Sequence, residues 1–437
     1  MHFMRSSALL ILLWCLGTLS AAAQIDPSTL AARIESSLGG LAEARDVSGI
    51  IVFRTGDGPI QQVALGYADW ETGARFTDRT RFPAGGITQT FLHALTERLI
   101  ETGQLDLDAP VSRYLPELPG AASLTVNDLI HSTGAIAPGD AMHLSWLPAE
   151  AAQADQAGLN QAVLARLIEM ARGARFETLI ASQWLGPLGL DDSLVLNQHR
   201  DLPDLARGYE AGPRPLDLRR TPDPVILKGH DGLYTTAPDL LRLGQAVRQR
   251  RIDLFRPDGQ MEAGWQVGLR ESQAVYSVAA HTPGFQTGII SISPGEFVLA
   301  YAVNIESYPA ASLERVLTDL IFNEAVSLPV RPDTAALTPE HLEAAGVYNS
   351  MVLGEIEILQ VEGGLDIHLP ASGRQDYLTP VATDRFFWRR TGALLVLERD
   401  MAGRVHRITG ERVTDDNSRP LVLNRTDLPP LPTEAGN

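Results

Sequence analysis

The sequence predicts an α+β protein: an antiparallel sheet flanked by helices, an inserted helical lobe around residues 86–200, and a small all-β domain at the C-terminal end. Three observations carry that reading. Residues 48–54 and 61–69 are strand-like runs on either side of the turn signal Gly56-Asp57-Gly58, the pattern of a β-hairpin. Phe91, Leu92, Leu95, Leu99 and Ile100 recur at helical spacing, which makes 88–102 a core helix. Beyond residue 346 the chain alternates with period two between glycine turns, as short paired strands do.

The elements follow in order. Arg5, the apolar run 8–16 and the small residues ending at Ala21-Ala22-Ala23 have the layout of a secretory signal peptide over residues 1–23. That run is shorter than the roughly 18 apolar residues an anchor needs, so the expectation is cleavage, a secreted or periplasmic location, and no membrane span afterwards. Cys15 lies inside the run, which would leave the mature protein without disulfide, thiolate nucleophile or cysteine metal ligand. A first helix is expected over 27–38, with Asp26 as its N-cap and Gly39-Gly40 as its stop. The helix 88–102 stops at Gly103. Residues 288–293 and 297–304 read as a closing antiparallel pair, and 309–325 as a last helix packed on the sheet. The Pro-rich, charged stretch 328–333 reads as a linker. It separates a domain over 24–327 from a β-barrel or sandwich over 333–437. At 437 residues and 44 % hydrophobic, the chain can bury a core of that extent. Its net charge of −17 opposes nucleic acid and anionic lipid as partners and is explained by solubility.

Several segments, in one order, resemble the serine β-lactamase and penicillin-binding-protein superfamily, of the class C and D,D-peptidase type. They are FPAGGITQTF at 82–91, LTVNDLIHSTGA at 124–135, the 173–193 segment ending in GPLGLDDS, DGLYTTAPDLLRL at 231–243, and HTPGF at 281–285. With the opening hairpin and the closing strands and helix, the resemblance covers roughly residues 50–326. The resemblance implies a β-lactamase/transpeptidase-like sheet and helical lobe with a cleft between them, and a C-terminal β-domain of the kind often appended to such serine hydrolases.

Three catalytic elements of the superfamily map onto residues of other chemistry. The Ser-x-x-Lys nucleophile motif falls on Gly86-Ile87-Thr88-Gln89, where Gly86 has no oxygen and the Gln89 amide does not titrate. No Ser-x-x-Lys occurs anywhere, because Lys228 is the only lysine and Val225 stands three residues before it. Tyr-x-Asn falls on Gln156-Ala157-Gly158, and no tyrosine lies between Tyr114 and Tyr209; Asn160 is a shifted alternative for the Asn. Lys-Thr-Gly or His-x-Gly falls on Val278 to Ala280. His281 lies three residues on, so its side chain should face away from that of residue 278. The joint change points to a non-catalytic cleft that binds a small-molecule, peptide or protein ligand, with Thr88, His281 and Thr282 as candidate contacts. The alternative is an active esterase, peptidase or β-lactamase with a relocated nucleophile, using Ser132, Thr88 or His281. No cofactor is expected. No zinc spacing occurs among the ten histidines, so no metal is expected either, and His131 reads as a structural residue before a turn. Gly85-Gly86 lacks the surroundings of a phosphate loop.

Overall fold

The computed structural model describes residues 26–131, 133–134, 146–147, 156–212, 216–255, 261–307, 312–326, 328, 332–370, 374–389, 391–412 and 421–427. The expected signal segment 1–23, Ser132 and the first residues of the expected last helix lie outside them.

Helix α1 (Pro27–Glu43) leads into strands β1 (Gly49–Thr55) and β2 (Gln61–Leu65). Strand β3 (Arg81–Pro83), a 3-10 turn (Gly85–Ile87) and α2 (Thr88–Glu101) open the helical lobe. It continues through α3 (Val126–His131), α4 (Gln156–Arg172), α5 (Phe176–Ile180), a π-helical turn (Ala181–Leu185) and β4 (Leu194–Val195). Then come β5 (Tyr209–Ala211), β6 (Leu218–Arg220), β7 (Leu233–Thr236) and α6 (Ala237–Arg248). Strands β8 (Gln266–Arg270), β9 (Gln273–Thr282), β10 (Phe285–Ser293), β11 (Phe297–Val303) and β12 (Ile305–Glu306) precede α7 (Leu313–Ile321).

The main sheet has the order β2-β1-β11-β10-β9-β8, antiparallel at every junction. Both faces are covered, so its central strands are apolar throughout rather than alternating; β11 is buried at all seven positions. Side chains still sort by parity. Ile50, Val52, Ile289, Val298, Ala300 and Ala302 join the core shared with the lobe and α6, whereas Ile51, Phe53, Ile290, Phe297, Leu299 and Tyr301 join the core under α1 and α7. Each such side chain contributes about 1.5–3 kcal/mol of burial, and together they fix where each strand edge lies.

Helix α1 begins as expected: the Asp26 carboxylate accepts the Ser28 N–H at 3.2 Å and Pro27 is the first residue. It does not stop at Gly39-Gly40 but runs to Glu43. Leu30, Ile34 and Leu38 are buried on one stripe and Leu41 extends it onto the sheet core. The two glycines cost about 1 kcal/mol each relative to Ala, and packing of the following turn offsets that. Helix α6 is capped by Thr236, whose hydroxyl accepts the Asp239 N–H at 3.3 Å. Its Gly244 lies so close to Ile289 and Val298 that a Cβ would collide with them. No helix among the described residues is long and apolar enough to cross a membrane.

The C-terminal strands β13 (Gly346–Ser350), β14 (Gly354–Val361), β15 (Gly364–Leu369), β16 (Arg374–Ala382), β17 (Arg385–Trp388), β18 (Ala393–Arg399), β19 (Val405–Arg412) and β20 (Leu421–Arg425) form a closed barrel, β20 pairing back onto β13. The inward positions carry Tyr348, Ile358, Ile367, Leu378, Phe386 and Leu395, which fill it with side chains. One residue clamps the barrel to the larger domain. Arg389, which follows β17, donates Nε–H to the Asp46 carboxylate at 2.7 Å, Nη1–H to the Asp217 carbonyl at 3.2 Å and Nη2–H to the Ala44 and Arg45 carbonyls at 3.3 and 2.8 Å. Both charged side chains are buried, at 9 % and 5 % exposure. Removing one partner leaves the other charge buried and unpaired, so Arg389→Met should cost about 3 kcal/mol. In urea the variant should melt in two separated transitions, barrel and main domain, where the parent protein melts in one; a single unshifted transition would refute the clamp.

Candidate functional site

The cleft lies where the head of α2 meets the end of β9. Backbone geometry sets its floor: Gly85 has φ +50° and packs under β9, where a Cβ would come within 2.9 Å of Thr282 Cγ2. Gly86 follows and is partly exposed. A Cβ there would meet Gln89 Nε2 at 3.2 Å and Ala280 Cβ at 3.9 Å. The structure thus brings Gly86, Gln89 and Ala280 together, from segments about 190 residues apart.

Parity along β9 sorts the remaining residues of that strand. Val278, Ala280 and Thr282 share the face toward α2; Val278 is buried in the main core, and Thr282 is buried with its Oγ1 lacking any hydrogen-bond partner. His281 faces the other way and is half exposed, its Nε2 3.8 Å from Glu306 Oε1. It does not join the cleft group. Thr88 is fully buried and its hydroxyl is committed: it donates to the Gly85 carbonyl at 2.7 Å and accepts the Leu233 N–H at 3.1 Å. That pair ties the head of α2 to β7. Thr90 is buried as well, its Oγ1 accepting the Trp265 indole N–H at 3.0 Å.

Gln156 is exposed and Gly158 buried in the first turn of α4. One turn on, Asn160 is fully buried; its amide donates to the Gly134 carbonyl at 3.0 Å, and its Oδ1 has no partner. Asn160 therefore anchors the segment after α3 to α4. His131 bonds through Nδ1 to the Asn127 carbonyl of its own helix at 3.1 Å, the structural role expected of it. No group of three or more His, Cys, Asp or Glu among the described residues is placed to hold a metal ion.

The Beta-lactamase family model matches residues 34–316, about two thirds of the chain and all of the main sheet. The chain belongs to the beta-lactamase family. It is 24 % identical over 263 residues to the putative penicillin-binding protein PbpX of Bacillus subtilis, covering 56 % of this chain and 67 % of that protein. It is 24 % identical over 325 residues to the esterase EstB of Burkholderia gladioli, covering 61 % and 81 %. Among solved structures, the octameric penicillin-binding protein homologue from Pyrococcus abyssi superimposes with a TM-score of 0.54 at 17 % identity, covering 90 % of this chain and 99 % of that one. At that identity the likeness establishes the fold, barrel included.

Within this beta-lactamase-family fold, the sole lysine has a place that the sequence alone does not reveal. Lys228 Nζ donates to Glu169 Oε1 at 2.8 Å and lies 3.8 Å from Glu177. Glu169 is 8 % exposed and also accepts the Phe176 N–H at 2.9 Å. Burial pushes the Glu169 carboxyl up, but hydrogen bonds from Lys228 and Phe176 and the Lys228 charge outweigh it and hold the group below its ordinary value of 4.5. The lysine thus fastens α4 and α5 to the segment before β7 and does not reach toward Gly86. With the folded-state pKa below the unfolded one, the carboxylate stabilises the fold above the unfolded value, and the contribution is lost as pH falls through the folded value. Lys228→Met should cost about 2 kcal/mol at pH 7, a partly exposed pair. The gap between variant and parent in urea unfolding should narrow on acidification below pH 4.5, and a pH-independent gap would show that the ion pair does not carry it.

Proposed function

We propose that this member of the beta-lactamase family is an exported binding protein whose cleft holds a ligand without forming an acyl-enzyme. The carrying observation is that Gln89 and Ala280 border the place a side chain at residue 86 would occupy, and residue 86 is glycine. At the head of α2, where the fold family's resemblance places a nucleophile and its base, the chain presents a bare backbone, a neutral amide and a methyl group. A serine hydrolase without its nucleophile loses about a million-fold in turnover. The neighbouring hydroxyl of Thr88 offers no replacement, since both its hydrogen-bonding directions are used within the fold.

The ligand class that fits best is an extended peptide. Strand β8 pairs with β9 only as far as Ser277, and β10 covers the opposite edge along the whole of β9. Residues 278–282 therefore leave one strand edge without a strand partner among the described residues, beside the cleft floor. An open edge of this kind accepts a further strand through main-chain hydrogen bonds, with side-chain pockets giving selectivity. The apolar N-terminal run and small-residue site support export.

Intact mass after incubation with a penicillin, a cephalosporin and a fluorophosphonate tests the reading, together with turnover of a chromogenic cephalosporin and a short-chain ester. No adduct and no turnover are expected. A one-to-one adduct, or ester turnover abolished by changing Ser132, Thr88 or His281, would establish a relocated nucleophile instead.

A further inference from the structure

On the far side of the lobe, α2 and α5 enclose a groove of about 440 Å³, within the size range of small-molecule sites. Its floor is apolar, made by Leu95 and Leu99 of α2 and Leu179 of α5. Its polar rim is cationic. Arg98 and Arg172 both line it, and neither has a carboxylate partner within 4.0 Å among the described residues. Arg172 Nη1 donates to Gln104 Oε1, another lining residue, at 2.7 Å, and its other donors have no partner among the described residues. Arg98 stands 6.0 Å from the Trp184 ring centroid, and the Trp184 indole nitrogen is buried without a partner. Among the described residues no acidic side chain lines the groove. In a protein of net charge −17, two exposed arginines lining one apolar trough form a local inversion of sign.

A second, independent feature marks the same place. Residues 181–185 form a π-helical turn, a rare and weakly bonded geometry that recurs at functional sites. Its Ser182 and Gln183 line the groove together with the arginines. A regular α-helix would rotate these side chains by a fraction of a turn, so the widened turn is what presents a hydroxyl and an amide to the groove.

We propose that this groove is a binding site for a small organic anion, one carboxylate carried on a short apolar body. The two guanidinium groups hold the carboxylate in forked, charge-assisted hydrogen bonds. The Gln183 amide supplies a neutral donor at the rim, the Ser182 hydroxyl being committed to the Thr178 carbonyl at 2.8 Å, and the apolar body lies on Leu95, Leu99 and Leu179. The site is separate from the cleft and independent of whether that cleft acylates.

Calorimetric titration of the purified protein with octanoate and with 1-octanol tests it, since the two share an apolar body and differ in charge. Octanoate should saturate one site with a millimolar or tighter dissociation constant. Octanol should bind at least about tenfold more weakly. The double variant Arg98→Gln/Arg172→Gln should weaken octanoate by a similar factor, with an unchanged melting midpoint in the absence of ligand, and Gln183→Trp should weaken it by narrowing the groove without altering charge. Absence of octanoate binding, equal binding of octanol, or full octanoate affinity in both variants would overturn the proposal. The comparison of octanoate with octanol on the unaltered protein stands even if a variant fails to fold.

Discussion

The constraint on which the rest of this structure depends is the burial of both faces of the main sheet. Strand β11 has no solvent side, so its neighbours β1 and β10 must each present one parity of side chains to the lobe and the other to α1 and α7. A slip of one residue would exchange the two sets and bring Ile289 and Ile290 into each other's packing sites. Register is therefore fixed along the sheet, and β9, bonded to β10 over its full length, inherits it. That is what delivers Val278, Ala280 and Thr282, rather than Ala279 and His281, to the face beneath the head of α2.

The scaffold and the chemistry of the cleft are separable for an energetic reason. A buried lysine without its hydroxyl partner, or a hydroxyl without its base, leaves a polar group unpaired at a cost of several kcal/mol, whereas exchanging both for uncharged groups can be nearly neutral. Gly86, Gln89 and Ala280 are a set of the second kind: none carries a charge, and the Gln89 amide and the Ala280 methyl border the place a side chain at residue 86 would take. The ties that hold the cleft walls in place use other atoms. Thr88 links α2 to β7, Asn160 links α4 to the segment after α3, and Lys228 links α4 and α5 to the segment before β7. The cleft can thus keep its shape with no catalytic group inside it.

Much of this was legible in the sequence, and what was hidden has a common character. The hairpin of β1 and β2, the core helix α2, the closing pair β10 and β11 and the all-β C-terminal region all follow from local periodicity and turn residues. So does the outward direction of His281, which needs only strand alternation. The continuation of α1 through Gly39-Gly40 was not legible, because it depends on what Leu41 packs against rather than on helix propensity. Nor was the choice between barrel and sandwich for the β-domain, which is decided by β20 meeting β13 across some 75 residues. The pairing of Lys228 with Glu169, the Arg389 clamp and the π-helical turn share this property: each is a meeting of distant residues or a small change of helical pitch, and neither leaves a period in the sequence.

The preference for arginine, 35 residues against a single lysine, finds its physical sense in these meetings. A guanidinium carries five donors in a planar fork, whereas an ammonium is a compact point charge. Arg389 bonds one carboxylate and three carbonyls from two stretches of chain. Arg425 does the same within the barrel, taking the carbonyls of Glu343, Val405 and Ala345 and the Asp427 carboxylate. Arg33 reaches from α1 to the carbonyls of Leu320 and Glu324 at the end of α7. Carbonyls at helix ends and loop turns have no partner of their own, and the arginines gather them into junctions between elements. Lysine survives where a point charge suffices, between the carboxylates of Glu169 and Glu177. Arg172 follows the same pattern in tying α4 to the segment after α2 through Gln104, while Arg98 lies beside the Trp184 ring. What sets these two apart is their place: both line one groove with an apolar floor, and no carboxylate among the described residues lies within ion-pair distance of either, so an external anion can take up their remaining donors.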